Sequence, residues 1–296
     1  MTKRILLYLG IEALISTFFI SDIKALYHFA DHSPYSGLYS YIFVIPFISA
    51  FLFFLKREEI FEKITYSIKQ ALAPIIVGIL LYLVGRDLVT ELNQNDYLSI
   101  VSSSWLFLSI GFFIATFGWH AFKKASFPLL FLFFMVPIPS DILEKYIIFL
   151  QKGSEEVSYL LFQLLGVPVY RENNVFQLAH FNLEVARECS GIRSTIGLWI
   201  TALLSVYILL RKTSSRLLAL AVVIPISIIK NGIRIVTLGI LASYVDPIYI
   251  TNHWLHKSGG ILFFSIALCL LFFPWIFFLR HREQKDNIHK AGSSGG

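Results

Sequence analysis

Long apolar stretches constrain the fold of this chain more than any other feature. Eight occur, at roughly 5–21, 39–55, 70–86, 98–119, 125–137, 189–210, 216–243 and 258–279. A helix needs about 20 apolar residues to cross a bilayer, where its backbone groups must bond to one another. Only 15% of the 296 residues are charged, against about 25% in a soluble domain. The sequence therefore predicts an all-α, polytopic transmembrane helical bundle with about eight spans, and it excludes a soluble enzyme with a small anchor.

Basic residues are concentrated in alternate connections between these stretches. They are Lys3 and Arg4; Lys56, Arg57, Lys63 and Lys69; Lys123 and Lys124; Arg211, Lys212 and Arg216; and Arg280, Arg282 and Lys285. Cytoplasmic loops of membrane proteins carry an excess of Lys and Arg. We therefore expect both termini in the cytoplasm and the other connections outside. Because topology accounts for the excess of 25 Lys and Arg over 19 Asp and Glu, no nucleic-acid partner is predicted.

The connection before the sixth stretch is long and has two parts. From Asp141 to Leu165, apolar residues recur at helical spacing among charged ones, which predicts an amphipathic or re-entrant helix near the outer surface. Val167 to Tyr170 is rich in β-forming residues, and apolar residues alternate with other residues from Phe181 to Ala186. We expect a small extracellular β-ribbon that leads to the sixth span.

Polar residues occur at or near the outward ends of the last three spans. They form the segments Arg187–Thr195, Lys230–Arg234 and His253–Gly260. An ionisable side chain inside a membrane costs about 2.5–3.5 kcal/mol on insertion scales, so these residues should face partners or a cavity. In the predicted topology Cys189, Arg234 and His256 lie at one level of the bilayer. The sequence thus indicates a site at the membrane surface.

These residue types are sufficient for acyl transfer through a thioester. A thiolate is a strong nucleophile, and a helix N-terminus or a nearby cation favours it. Arg193 follows Cys189 by four residues and would share its face on a continuous helix. Histidine can move a proton near neutral pH, and arginine is a fixed donor for an oxyanion. The sequence has no Gly-rich phosphate loop and no metal-type Cys/His cluster, so neither a cofactor nor a metal is predicted.

Other interpretations of the same residues stay open at this point. Arg193, Lys230 and Arg234 can instead pair with Glu184, Glu188 or backbone carbonyls. A transporter or channel would use Lys230 and Arg234, together with Glu12, to line an anion pathway. A non-catalytic scaffold, or a hydrolase with Glu184 or Glu188 as its base, are further alternatives. Each assigns Cys189 no chemical role.

The order of three motifs resembles one known family. CSGIRS begins one span, NGIR lies within the next, and HKSGG opens the last; FMVPIPSDI, LLGVPVYRENNVF and NLEVARECSG precede them. This arrangement resembles the exosortase/archaeosortase family of membrane transpeptidases, over roughly Phe127 to Phe264. A histidine at the third position is similar to the bacterial branch. On this basis residues 1–285 form one integral membrane domain, with variable N-terminal spans at 1–124 and a catalytic half at 125–265. Residues 286–296 are expected to form a cytoplasmic tail that ends in a linker remnant.

The resemblance implies an activity and the residues that perform it. The nucleophile falls on Cys189, the essential arginine on Arg234 and the histidine on His256, with Lys257 where the family often has an acidic residue. The supporting or substrate-binding residues that we assign are Arg193, Asn231, Lys230 and Glu184. The implied enzyme is a cysteine transpeptidase or protease in a bacterial plasma membrane, with its active site facing the periplasm or exterior. Its substrates would be secreted proteins ending in a recognition motif, a transmembrane helix and a basic cluster. Membrane lipids surround it, and a lipid or glycan would accept the product.

Overall fold

The computed structural model describes residues 2–32, 36–179, 182–251 and 259–293. Of these residues 82% are helical, and the other regular structure is one small sheet. This composition confirms a mostly helical, multi-pass protein. By its contacts the chain divides into two compact units, Met1–Leu143 and Glu144–Gly296. The division predicted at residues 124 and 125 stays a prediction.

The first unit is built from apolar helices. They are α1 (Thr2–Phe18), α2 (Ile20–His32), α3 (Ser36–Tyr39), α4 (Ile45–Leu55), α5 (Arg57–Ile60), α6 (Ile68–Asp87), α7 (Gln94–Phe117) and α8 (Trp119–Phe131), with 3-10 turns at Ser40–Phe43 and Leu132–Met135. Helices α6 and α7 pack extensively against each other. The Ser104 hydroxyl of α7 donates to the Gly78 carbonyl of α6 at 2.8 Å. Small residues at this interface let the two backbones approach closely, as in other membrane helix pairs.

Ionisable side chains in the first unit bond to neighbouring helices. Arg86 donates to the carboxylate of Asp22 at 2.9 Å, and the Tyr97 hydroxyl donates to the same carboxylate at 2.7 Å. The carboxylate of Glu12 accepts from the Ser109 hydroxyl at 2.7 Å. Partners of this kind lower the cost of placing charged groups among apolar helices.

In the second unit, one long helix precedes the sheet in the sequence and the other helices follow it. Its elements are α9 (Ser140–Leu164), which starts at the end of the first unit, β1 (Val169–Glu172), β2 (Val175–Leu178), β3 (Asn182–Glu184), a 3-10 turn (Arg187–Ser190), α10 (Ile192–Leu209), α11 (Thr213–Ala221), α12 (Val223–Tyr244), α13 (Ile248–Thr251), α14 (Gly259–Ala267), a π-helical turn (Leu268–Phe272) and α15 (Phe273–Ser293). Helix α9 confirms the amphipathic helix predicted from Asp141 to Leu165. Its buried residues include Leu150 and Phe162, whereas Leu160 and Leu164 are exposed.

The sheet is antiparallel with strand order β1-β2-β3. Asn173, with φ of 54°, turns the chain between β1 and β2, in the left-handed region that Asn tolerates better than most residues. Strands at both predicted ends confirm a small β-structure before the sixth span. The strand Val175–Leu178 between them was not predicted. The location of the sheet on the outer side of the membrane stays a prediction.

Two apolar clusters hold the second unit together. One joins α10, α11, α12 and the last helical segment through residues such as Leu198, Val223 and Phe272. The other packs Phe176 of β2 and Leu183 of β3 against α9 and α12. The second cluster fixes the sheet next to the segment that carries Cys189.

The number of helices able to span a membrane is smaller than eight when judged by length and hydropathy. Among the described residues, five qualify: Ile68–Asp87, Gln94–Phe117, Ile192–Leu209, Thr213–Tyr244 and Gly260–Lys285. Two interrupted pairs, Thr2–Phe18 with Ile20–His32 and Trp119–Met135 with Ser140–Leu164, raise the number to seven if each is one span. The stretch predicted at 39–55 forms the shorter apolar helix Ser40–Leu55. A multi-pass protein is confirmed, and the count of eight and the sides of the termini stay predictions.

The last span contains an irregular turn and a buried acid. The π-helical turn Leu268–Phe272 interrupts it between α14 and α15. Glu283, on α15, accepts hydrogen bonds from the backbone N–H groups of Arg211 and Lys212 at 3.0 and 2.9 Å. These bonds attach the end of the last helix to the connection between α10 and α11.

Candidate functional site

Cys189 lies in the 3-10 turn immediately before α10. Its N–H donates to the Ala186 carbonyl at 2.9 Å, and its half-buried side chain packs against the apolar cluster beneath the sheet. Gly191 then adopts φ of 73°, in the left-handed region that favours glycine, and α10 starts at Ile192. The cysteine is therefore presented by a turn and not by the helix itself.

The carbonyl of Gly191 ties this turn to the start of α10. It accepts from the Thr195 N–H at 3.0 Å, from the Thr195 hydroxyl at 2.9 Å and from the Ser194 hydroxyl at 3.0 Å. Three donors on one carbonyl restrict the orientation of the peptide that follows Gly191. The position of the cysteine turn is thus set by local hydrogen bonds.

Asn231 connects the cysteine turn to two long helices. Its side chain, on α12, is 1% exposed. The amide nitrogen donates to the Cys189 carbonyl at 2.6 Å and to the Ser154 hydroxyl of α9 at 3.0 Å. An amide NH2 has two donors, and both are used here. Asn231 therefore holds the turn, α9 and α12 at one point.

Arg234 lies one helical turn beyond Asn231 and Lys230 on α12. Residues three and four apart occupy the same side of a helix, and the half-buried Arg234 guanidinium interacts electrostatically with Cys189. The structure thus brings together two of the three residues predicted to form the catalytic centre. Because an arginine stays protonated, it supplies a permanent positive charge within electrostatic range of Cys189.

Lys230 is the most deeply buried cation described in this site. It is 4% exposed, its ammonium group donates to the Ser194 hydroxyl, and it interacts electrostatically with Arg234. Among the described residues it forms no ion pair with a carboxylate. The alternative in which Lys230 pairs with Glu184 is therefore not what the structure shows.

Arg193 and Glu184 lie at the edge of this arrangement. Both side chains are exposed, and Glu184 accepts from the Asn174 amide at 3.2 Å. The expected shared face of Cys189 and Arg193 is wrong, because Gly191 separates the cysteine turn from α10. The described contacts join neither Arg193 nor Glu184 to Cys189, Asn231 or Lys230.

His256 falls outside the described residues, as do His253 and Lys257. The expected meeting of the sulfur, the guanidinium and the imidazole therefore stays a prediction for its third member. The described part of the chain holds no group of three or more His, Cys, Asp or Glu residues that could bind a metal ion.

Two hydroxyl residues of the site were not predicted. Ser194 receives the Lys230 ammonium, and Ser154 receives the Asn231 amide. Ser194 belongs to the CSGIRS motif, so the motif contained a signal for it. Ser154 follows Gly153 and precedes Ser158 by four residues, and such a stripe of small residues on a helix indicates a close helix contact.

These features define a multi-pass membrane protein in which one cysteine and two cations of a neighbouring span share a buried polar cluster. The family model for transmembrane exosortases matches residues 33–273. The chain therefore belongs to the transmembrane exosortase family. The match confirms the family inferred from the motifs and extends beyond Phe127–Phe264 into the first spans. Searches of curated proteins and of solved structures found no match.

Proposed function

We propose that this chain is a cysteine-dependent membrane transpeptidase that cleaves the C-terminal sorting signal of secreted proteins. The observation that supports it best is the attachment of Cys189 to α12, through the Asn231 amide on its carbonyl and the Arg234 guanidinium interacting with it. Membership of the exosortase family and the five to seven span-length helices agree with cleavage at a membrane surface. The site would face the periplasm or exterior of a bacterial plasma membrane.

The first half of the reaction forms a thioester. The Cys189 sulfur, having given its proton to His256, attacks the carbonyl carbon of the scissile peptide, and a C–S bond forms. The negative charge moves to the carbonyl oxygen, where Arg234 stabilises it. The C–N bond then breaks as His256 returns the proton to the leaving amine. The role of His256 rests on the family motif alone.

The second half releases the product. A nucleophile of a lipid, a glycan or water attacks the thioester carbon, the C–S bond breaks, and the thiol is regenerated. Asn231 acts as a positioning residue, because it bonds to the backbone of Cys189 and not to its sulfur. Lys230 adds a second buried positive charge that favours the thiolate.

The substrates proposed are secreted proteins that end in a recognition motif, a transmembrane helix and a basic cluster. Membrane lipids surround the site, and a lipid or glycan serves as the surface acceptor. The exposed Arg193 and Glu184 are proposed to contact the substrate around the cysteine turn. A search of the same genome for secreted proteins with a shared C-terminal motif would identify the substrates.

The test is processing of such a substrate in cells. Cys189→Ala should leave the uncleaved precursor in the membrane, whereas Cys269→Ala, at the exposed second cysteine within the π-helical turn, should process normally. Immunoblotting of the precursor and product measures both. Normal processing by Cys189→Ala would contradict the proposal and favour the alternatives that give Cys189 no chemical role.

A further inference from the structure

Strand β3 is an edge strand that leads directly to the catalytic cysteine. The strand order β1-β2-β3 leaves one side of β3 without a neighbouring strand among the described residues. Only Val185 and Ala186 separate β3 from the 3-10 turn that holds Cys189. Five residues of extended chain reach at most about 18 Å. The edge of β3 therefore lies within the length of a short extended peptide from Cys189.

The ladder shows which backbone groups of β3 face outward. Val185 continues the register, and its N–H donates to the Asn174 carbonyl of the neighbouring strand at 2.8 Å. In an antiparallel pair, alternate residues bond to the partner strand. The backbone N–H and C=O groups of Leu183 and Val185 thus face β2, whereas those of Asn182 and Glu184 face the open edge. Both of these residues also have exposed side chains.

The edge is held firmly in relation to the site. The Gln151 amide of α9 donates to the Val185 carbonyl at 2.6 Å. Arg171 of β1 bonds to Glu155 and Glu156 of α9 at 3.4 and 2.7 Å. The sheet and the cysteine turn are thus both attached to α9, since Ser154 bonds to Asn231. A peptide bound along β3 would keep a fixed register relative to the sulfur.

We propose that the outer edge of β3 binds the substrate as an added β-strand, through the peptide segment that precedes the scissile bond. This inference rests on the proposed function. A sheet edge recognises an extended peptide through main-chain hydrogen bonds. The segment after the scissile bond leads into the substrate's transmembrane helix, whose backbone groups are already bonded. The segment before it is therefore the part available to add a strand.

The inference predicts a dependence on peptide backbone N–H groups with a period of two residues. The probe is a set of peptides, each covering the segment before the scissile bond, carrying a thiol-reactive electrophile at the scissile position and one N-methyl group. The full-length protein in lipid nanodiscs is labelled, and adduct formation on Cys189 is followed by mass spectrometry. N-methylation at alternate residues should slow labelling roughly tenfold, because each removes one buried hydrogen bond, and the intervening positions should have little effect.

Substitutions on the two edges of the sheet provide the matched comparison. Glu184→Pro removes an outward N–H of β3 and spares the bonds to β2, as proline does on edge strands. Val169→Pro removes the corresponding outward N–H at the first residue of β1, on the opposite edge. Compared with Glu184→Ala, which also lacks the carboxylate but keeps the N–H, Glu184→Pro should slow labelling by the unmodified peptide roughly tenfold, whereas Val169→Pro should label as wild type does.

The outcomes separate this inference from the proposed function. Labelling of Cys189 by the unmodified peptide, with no periodic effect of N-methylation, overturns strand addition and leaves the transpeptidase intact. Labelling of Glu184→Pro at the wild-type rate also overturns strand addition and leaves the transpeptidase intact. Absence of any Cys189 adduct with the unmodified peptide, in protein that alkylates normally with iodoacetamide, overturns both.

Discussion

At the residue scale, Lys230 is a buried lysine that has no carboxylate partner among the described residues. Its ammonium group donates to the Ser194 hydroxyl, and the electrostatic effect of Arg234 on it is repulsive. A buried charge of this kind costs stability, so its presence indicates a function in the site. The proposed reaction gives it one, because both the thiolate and the oxyanion are negative.

Lys230→Met should therefore separate stability from activity. An apolar side chain of similar volume avoids the cost of burying an ionisable group without an ion-pair partner, so the variant should be at least as stable as the wild type. Loss of the positive charge should slow alkylation of Cys189 by iodoacetamide roughly tenfold, since charges near a thiol favour the thiolate. Thermal unfolding in detergent and alkylation rates measure the two effects.

Lys152, an exposed lysine of α9, provides the control for this change. Lys152→Met should alter neither property. Destabilisation of Lys230→Met by several kcal/mol, with alkylation unchanged, would show that Lys230 has a structural role only.

The structure shows contacts of the predicted site residues, and their catalytic roles stay predictions. Cys189, Asn231 and Arg234 lie in ordered motifs, and the structure brings them together. The expected contact of Arg193 depended on a continuous helix through Cys189, which the positive φ of Gly191 interrupts. Periodicity describes residues within one helix, but it does not show where a helix begins to within two residues.

At the scale of elements, the contact between α9 and α12 determines where Asn231 meets the cysteine turn. Gly232 follows Asn231, and a Cβ atom there would lie 2.6 Å from Val157 of α9. The Ser158 hydroxyl of α9 donates to the Gly232 carbonyl at 3.4 Å. Only a glycine permits this approach, and the small residues of α9 face it.

Gly232→Ala should destabilise the protein by about 1–3 kcal/mol, because the added methyl group overpacks the interface. The double variant Gly232→Ala with Val157→Ala should recover most of this loss, since Val157 is the residue in contact. Gly10→Ala on α1 is the control, as no atom lies within 4 Å of its added Cβ. Thermal unfolding in one detergent measures all three. An equal loss in single and double variants would contradict this packing.

Elements with a clear period were predicted well from the sequence. Helix α9 matches its predicted range within one residue at each end. The strand Val175–Leu178 was missed because four residues give a weak alternation signal. Its pairing with both neighbours, which no local pattern contains, is what defines it in the structure.

At the scale of the whole molecule, the distribution of Lys and Arg predicts the topology. The expectation is that the sheet lies outside and that the connection between α10 and α11 lies in the cytoplasm. Tyr170 of β1 is 65% exposed, and Arg211 in that connection is also exposed. A cysteine introduced at each of these positions can therefore show which side of the membrane the position faces.

In a background of Cys189→Ala and Cys269→Ala, Tyr170→Cys should react with a membrane-impermeant maleimide in intact cells. Arg211→Cys should react only after the cells are permeabilised. Gel-shift detection of the maleimide adduct gives the result. The reverse pattern would show that the active site faces the cytoplasm and would contradict the proposed secreted substrates.

Hydropathy predicted the class of the molecule but not the number of its spans. The helical break between α1 and α2 falls inside the apolar stretch 5–21, which remains apolar across the break. Transfer of a residue into lipid depends on its polarity, whereas helix continuity depends on backbone geometry. An apolar stretch therefore predicts insertion into a membrane, but it does not predict where the helix is interrupted.

The π-helical turn at Leu268–Phe272 has a consequence for the angular setting of the last helix. Each residue rotates an α-helix by about 100°, and a π-type turn accommodates one extra residue. Every side chain after Phe272 is thus rotated about the helix axis by that angle compared with an uninterrupted helix. With this rotation, the Glu283 carboxylate accepts from the backbone N–H groups of Arg211 and Lys212. The π-helical turn therefore determines which side of the last helix faces the connection between α10 and α11.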